Sequence, residues 1–348
     1  MTTASTLIVA ASAGVPPRRP TGRRAVWVAA GILVLAVACV ASVAFGNRVV
    51  GWTEIVSALS GGDGIAQEAV RQRVPRTVLA VIIGAVLALS GAILQAVTRN
   101  PLADPGILGI SAGAALWVVF GITFFGLVNP GSYVLVAIGG AGTTAVLVYA
   151  IASLGRGGAT PLKLALAGAA TTAAFSSLTS AMLLPRIDVM DEFRFWQIGG
   201  VGGADIGRTL SVLPIFVVAA VVSLGMARGL NALALGDDVA AGLGEKVGAV
   251  RILAGAAAVT LCGAATALVG PIGFVGLVVP HAVRQLVGVD HRWLLPTSAL
   301  VGATLLTVAD VVGRVVARPA EVDVGIITAL VGAPVFIWIV RRQNVRAL

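Results

Sequence analysis

The chain has 348 residues, 58% hydrophobic and 11% charged, with a formal charge of +9 and a mean hydropathy of +1.00. This excess of apolar residues excludes an ordinary soluble domain and implies an all-α integral membrane protein in which many spans pack together. Cys39 and Cys262 lie in apolar runs without metal-ligand or C-x-x-C spacing, which points to packing and away from a disulfide framework.

Residues 1–24 carry Arg18, Arg19, Arg23 and Arg24 among prolines and read as a cytoplasmic tail. The run from Ala25 to Phe45 is too long for a signal-peptide core and reads as an uncleaved first helix. Apolar stretches then place spans at 77–97, 107–127, 133–153, 162–184, 209–227, 249–269, 272–288, 295–313 and 325–340. About ten transmembrane helices thus fill a membrane domain over 25–342, with one substantial cytoplasmic loop at 228–251 and a short tail at 343–348. An even number of spans sets both termini on one side. With that side cytoplasmic, it collects 15 of the 24 basic residues but only Asp104, Asp237, Asp238, Glu245 and Asp290 among the 15 acids. The net charge therefore reports membrane topology, and nucleic-acid binding is not needed to explain it.

Gly84 to Ile93 matches Gly263 to Ile272 at an offset of 179, which also sets Pro101 on Pro280 and Gly109 on Gly288. Five spans separate the copies, so they would run in opposite directions, an inverted repeat of the kind recurrent in transporters. Between the second and third spans, NPLADPGILGISAGA (Asn100 to Ala114) interrupts the oil with two prolines, an Asn and an Asp. It reads as a tight reversal in which Pro101 and Pro105 stop helices and Asn100 or Asp104 caps the next. A role as hinge or packing surface stays open.

In the loop after span six, Leu230, Leu233, Leu235, Val239 and Leu243 give a short apolar face interrupted by Gly236, and Asp237 and Asp238 are placed to cap a second short helix. Such a pair is either a docking surface or an interfacial lid. On the opposite side, Arg71 to Arg76 precede span two and Arg314 closes span nine, against the positive-inside trend. Carboxylates on a partner would explain them, and so would a local ion pair between Asp310 and Arg314, four apart on one helix face, with Glu321 nearby. His281 and His291 have no His, Cys or carboxylate at i+3 or i+4 and read as structural, so no metal site is expected. The string GLGEK at Gly242 lacks the spacing of a phosphate loop, and no nucleophile elbow or buried carboxylate pair is evident.

Six motifs in order then resemble one family: RVPRTVLAVIIGAVLALSGAILQAVTRNPLADPGILGISAGA from Arg73, FRFWQIGG at Phe193, LALGDDVAAGLG at Leu233, GPIGFVGLVVPHAVRQLVGVDHRWLLP at Gly270, AD-x3-R at Ala309 and VGAPVFIWIVRR at Val331. They are similar to the iron-siderophore and vitamin B12 ABC importer permeases, over about Arg73 to Arg342, and most resemble the ferric-enterobactin type. The resemblance implies a ten-helix type II ABC importer permease in the plasma membrane of the cell, not itself an enzyme and without a cofactor of its own. It pairs with a second permease subunit, as a homodimer or as the heterodimer that likeness to the catecholate type favours. Two ATP-binding subunits, which hold ATP and Mg, and an extracytoplasmic binding protein that delivers a ferric siderophore complete the assembly.

By motif position, Arg73, Arg76 and Arg314 resemble the basic pockets that receive the binding protein, and Leu235, Gly236, Ala240, Leu243 and Gly244 the coupling surface for the ATPase. Gln95, Asn100, Pro101 and Asp104 fall near the translocation path or its gate. One departure is Asp323, where a proline commonly stands. Vitamin B12 or heme would be alternative cargoes. An ion-coupled secondary transporter would bury ionisable residues in its spans, and these spans hold almost none apart from Asp310 near an end.

Overall fold

The computed structural model describes residues 21–46, 50–127, 130–154, 160–185 and 196–344. The basic tail up to Pro20, Phe193, Arg194 and Phe195 of the aromatic motif, and the last four residues lie outside them. The described chain is helical throughout: α1 Thr21–Ala44, α2 Trp52–Leu59, α3 Ile65–Val97, α4 Ile110–Phe125, α5 Pro130–Ser153, α6 Pro161–Leu183, α7 Ile206–Gly225, α8 Ala227–Leu233, α9 Asp237–Gly242, α10 Val247–Val269, α11 Val275–Val287, α12 His291–Val316 and α13 Val324–Asn344. The ten predicted spans correspond to α1, α3 to α7 and α10 to α13. Seven of these are long and apolar enough to cross a membrane alone.

Helix length explains how the others fit. At 1.5 Å per residue, the 33 residues of α3 reach about 50 Å, well beyond a hydrocarbon core of about 30 Å. The 16 residues of α4 and 13 of α11 reach only about 24 and 20 Å. Each short helix follows an irregular break, residues 98–109 before α4 and 270–274 before α11. Non-helical backbone at such depth is tolerated where protein surrounds it or a cavity adjoins it.

Side-chain contacts fix the helix directions. Arg24 pairs with Asp290 at 3.5 Å while Arg314 reaches Ser42, so α1 and α12 run parallel. Arg76 pairs with Asp310 and Gly84 faces Gly302, so α3 runs antiparallel to both. We call the end where α1 begins the near end and the other the far end. α3 is the buried centre, packed on α12, α10 and α11, and α1 is the peripheral helix with Val26, Leu33 and Val37 turned outward.

Small residues bring these helices together, as expected where lipid supplies no hydrophobic drive between them. A side chain on Gly91 would overlap the Gly276 carbonyl, and Ser90 Oγ donates to Ala258 O at 2.7 Å. The two halves share one order of parts: a long helix, a break, a short helix, then two long ones, α3 to α6 and α10 to α13. The register at offset 179 does not pair equivalent places, however. Gly91 lies inside α3 whereas Gly270 caps α10, and Gly109 opens α4 whereas Gly288 closes α11. Short alanine-glycine strings recur wherever helices pack closely, so they do not fix register.

Candidate functional site

The break between α3 and α4 is built by its own polar side chains. Asn100 Oδ1 accepts from Leu102 N at 3.0 Å and Asp104 Oδ1 from Gly106 N at 2.8 Å, two turns closed by short side chains folding back on the backbone. Neither caps α4: that position belongs to Gly109 at φ 73. A Cβ there would lie 3.1 Å from Thr172 Oγ1 and 3.2 Å from Gly168 O, so glycine is needed for both conformation and clearance. Pro101 is exposed.

Gln95 has a structural role with a clear cause. Pro280, inside α11, has no N–H, so the Gly276 carbonyl four residues earlier loses its intrahelical donor. Gln95 Nε2 supplies it at 3.0 Å, and Arg284 donates to Gln95 Oε1.

The far-end arginines are engaged within the chain. Arg73 Nη1 donates to Val43 O at 3.0 Å and Ala44 O at 3.1 Å. Arg314 Nη1 donates to Ser42 O at 2.9 Å and Phe45 O at 3.1 Å. Both cations close the last turn of α1, where carbonyls lack intrahelical donors and the dipole favours positive charge. Arg314 also pairs with Asp310 at 2.9 Å, the local ion pair read from the i,i+4 spacing. Arg76 bridges Asp310 at 2.8 Å and Glu321 at 2.6 Å. With residue exposures of 8% for Arg73 and 2% for Arg314, these two do not present free charge to a partner in this conformation. The accessible pair is Arg76 and Glu321, whose side chains are 11% and 37% exposed. Asp323 lies beside it, its carboxyl held above the usual range by burial, against the pull of Arg76.

At the near end the loop between α7 and α10 forms α8 and α9. The apolar face read along 230–243 divides in two. Leu230 and Leu233 turn into the bundle, while Leu235 and Leu243, 62% and 64% exposed, and Val239 turn outward. Gly236 at φ 111 and Gly244 at φ 84 make the reversals on either side of α9. Ala240, fully buried, faces the bundle and is unavailable to a partner. Nor do Asp237 and Asp238 cap α9, since the N-cap is Gly236. Asp237 Oδ1 instead accepts from Arg251 at 3.0 Å and from Arg99.

His291 takes a structural place. It is held by Asn231 Oδ1, at 2.9 Å from its amide and 2.8 Å from Nδ1. Asn231 also donates to Asp290 at 2.8 Å. Burial pushes the Asp290 carboxyl up, but Asn231, the Arg292 amide and Arg24 together hold it below its ordinary value.

A cavity of about 250 Å³ lies where the two breaks meet, Gly106 of the first against Pro271 and Gly273 of the second. Ser111, Thr172, Ser176 and Gln197 line it with hydroxyls and an amide. None of Gln95, Asn100, Pro101 and Asp104 borders it; Asn100 and Asp104 close turns in the first break, and Gln95 braces α11. The lining residues escaped the sequence reading because Thr172, Ser176 and Thr179, though on one helix, meet Ser111 and Gln197 only after the helices have packed. Ser111 and Gln197 stood in quoted motifs, which do not say that the two meet.

The sequence profile of the FecCD transport family matches residues 34–342. The chain belongs to this family. The ferric enterobactin transport system permease protein FepD of Escherichia coli is 39% identical over 323 residues, spanning 92% of this chain and 96% of FepD. The cobalamin import system permease protein BtuC of Halobacterium salinarum is 43% identical over 277 residues, 79% of this chain and 74% of BtuC. A solved chain described as of the metal-chelate ABC transporter type, in an inward-facing conformation, superposes with a TM-score of 0.77 at 30% identity, over 91% of this chain and 99% of that one. The FecCD assignment makes this a multi-pass membrane protein of a transport family.

Proposed function

We propose that this FecCD chain is the transmembrane permease subunit of an ATP-driven importer that passes a ferric siderophore inward from an extracytoplasmic binding protein. The observation that carries this reading is the likeness to FepD over nearly the full length of both chains. The near end is cytoplasmic, supported by the arginine and lysine excess there. A pair of ATPase subunits holding ATP and Mg seats on that face against the outward side chains of α9, Leu235, Val239 and Leu243. A second permease subunit completes the path, as a heterodimer.

Closure of the ATPase pair on ATP displaces α9, and the spans around the two breaks rearrange between states of alternating access. The iron arrives wrapped in its chelator, so hydroxyls and amides such as those lining the cavity suit the path better than strong ligands, which would hold the cargo midway. The binding protein docks at the far end through an exchange of partners, in which its carboxylate displaces Glu321 from Arg76 while Arg73 and Arg314 hold α1 in place. Glu321→Gln should then tighten docking by about three-fold, a fraction of a kcal/mol per exposed pair, read by titration of the binding protein; unchanged or weaker docking removes Arg76 from this role.

The decisive experiment is uptake into proteoliposomes holding the permease pair and ATPases, with loaded binding protein outside the vesicle's import face. ATP-dependent accumulation of ferric enterobactin supports the reading. Accumulation driven by an ion gradient without ATP overturns it. Cobalamin is the second cargo to test in the same vesicles, because the relative named for it is as similar in sequence as FepD.

A further inference from the structure

We propose that Asp237 is a positioning residue that ties α9 to the break between α3 and α4, so that displacement of α9 moves the break. The proposal rests on the reading that an ATPase subunit seats on α9, and adds the route by which its movement enters the bundle. α9 packs on α8 and α10. Its bridge to the chain just past α3 is Asp237 Oδ1, which receives Arg99 and, at 3.0 Å, Arg251 of the second turn of α10.

Arg99 is the second residue of the break, just past the end of α3, and adopts φ 50, a left-handed backbone that a non-glycine residue holds only where its surroundings fix it. A pull on its guanidinium acts directly on this over-determined turn. Beyond it, Asp104 lies against Gly276 at the start of α11, Ile107 and Leu108 against Gly168 of α6, and Gly106 borders the cavity. The break thus joins the coupling surface to the two helices and the cavity that must change during transport.

The same geometry argues against a role in stability. All three side chains are 38% to 45% exposed, and pairs so placed contribute little to folding and are screened by salt. Asp237 is also not needed as a cap, since Gly236 holds that position. What remains for an aspartate shared by two guanidiniums from different elements is to hold them in register.

The test uses the full transporter in proteoliposomes with Asp237→Asn, Arg99→Asp, and the charge-swapped double Arg99→Asp with Asp237→Arg. Asp238→Asn, exposed in the same turn, is the control. In Asp237→Asn, ATP hydrolysis should stay within about two-fold of the parent, while cargo moved per ATP falls about ten-fold. The swap, which restores one carboxylate between two cations, should recover most of that ratio, and the control should match the parent. A ratio unchanged in Asp237→Asn, or a swap no better than either single change, overturns the proposal.

A second measurement is independent of ATP. Spin labels at Leu102→Cys and Leu243→Cys, with Cys39 and Cys262 replaced, should give a narrow distance distribution that broadens on Asp237→Asn and sharpens again in the swap. Equal widths in all variants overturn the tie. Loss of ATP-driven uptake in the parent transporter, with the label distances behaving as stated, would instead overturn the importer reading and leave the tie standing.

Discussion

Arg314 and Arg73 show how little a residue's type reveals of its task until its neighbours are placed. In sequence they read as cations against the positive-inside trend, open to partner docking or, for Arg314, to a local ion pair with Asp310. The structure adds what sequence could not contain, the end of α1, whose terminal carbonyls both guanidiniums close. Asp310 is the keystone of that cluster, 1% exposed and shared by Arg76 and Arg314. Asp310→Asn leaves Arg314 buried without its counter-charge, and breaking one side of a buried pair costs about 3–5 kcal/mol. We expect a loss toward the lower end of that range, about 3 kcal/mol, because the carbonyls of α1 still accept from Arg314 and Glu321 still holds Arg76. Unfolding in mixed detergent micelles measures it; a change within error would make the cluster a surface feature rather than part of the core.

Among the elements, the ten spans were legible because an apolar run long enough to cross the bilayer is read directly from composition. The beginning of α3 was not. Its helix continues from Thr77 back to Ile65 through Arg76, Arg73, Arg71 and Glu68, charges that lower hydropathy but are each satisfied by a partner. α2 was also missed, although Glu54 sits at the third position and accepts from Gly51 N at 2.8 Å, a capping signal that only matters once Ile55 and Ala58 have a surface to cover. The face of α9 was misread because α8 ends at Leu233 and the turn through Gly236 reorients the chain before α9, which no periodicity can carry across. Where α3 crosses α11 the glycines have a measurable meaning. Gly91→Ala forces a methyl against the Gly276 backbone, and overpacking of this kind costs about 1–3 kcal/mol. Gly139→Ala in α5, with nothing within 4 Å of the added carbon, should leave the melting temperature unchanged. A Gly91→Ala melt equal to that of Gly139→Ala would mean the helices sit farther apart than described.

For the whole molecule, family and fold were legible from motif order, whereas the meeting of the two breaks was not, because Gly106 and Pro271 are brought together only after every helix between them has packed. The same packing turns the orientation in the membrane into a sharp prediction. Leu243 is exposed at the near end, and Asp63, whose side chain is 92% exposed, marks the far end beside Arg71. If the near end is cytoplasmic, as proposed from the distribution of arginine and lysine, then Asp63→Cys reacts with a membrane-impermeant maleimide in right-side-out vesicles and Leu243→Cys reacts only after the membrane is opened or inverted. Background should be low, since Cys262 is buried and Cys39 lies within the membrane length of α1. Labelling of both positions from one side would break the even parity that the parallel pair α1 and α12 and the antiparallel α3 together impose. The reverse pattern would keep the fold and place α9 on the outer face, where no ATPase could reach it.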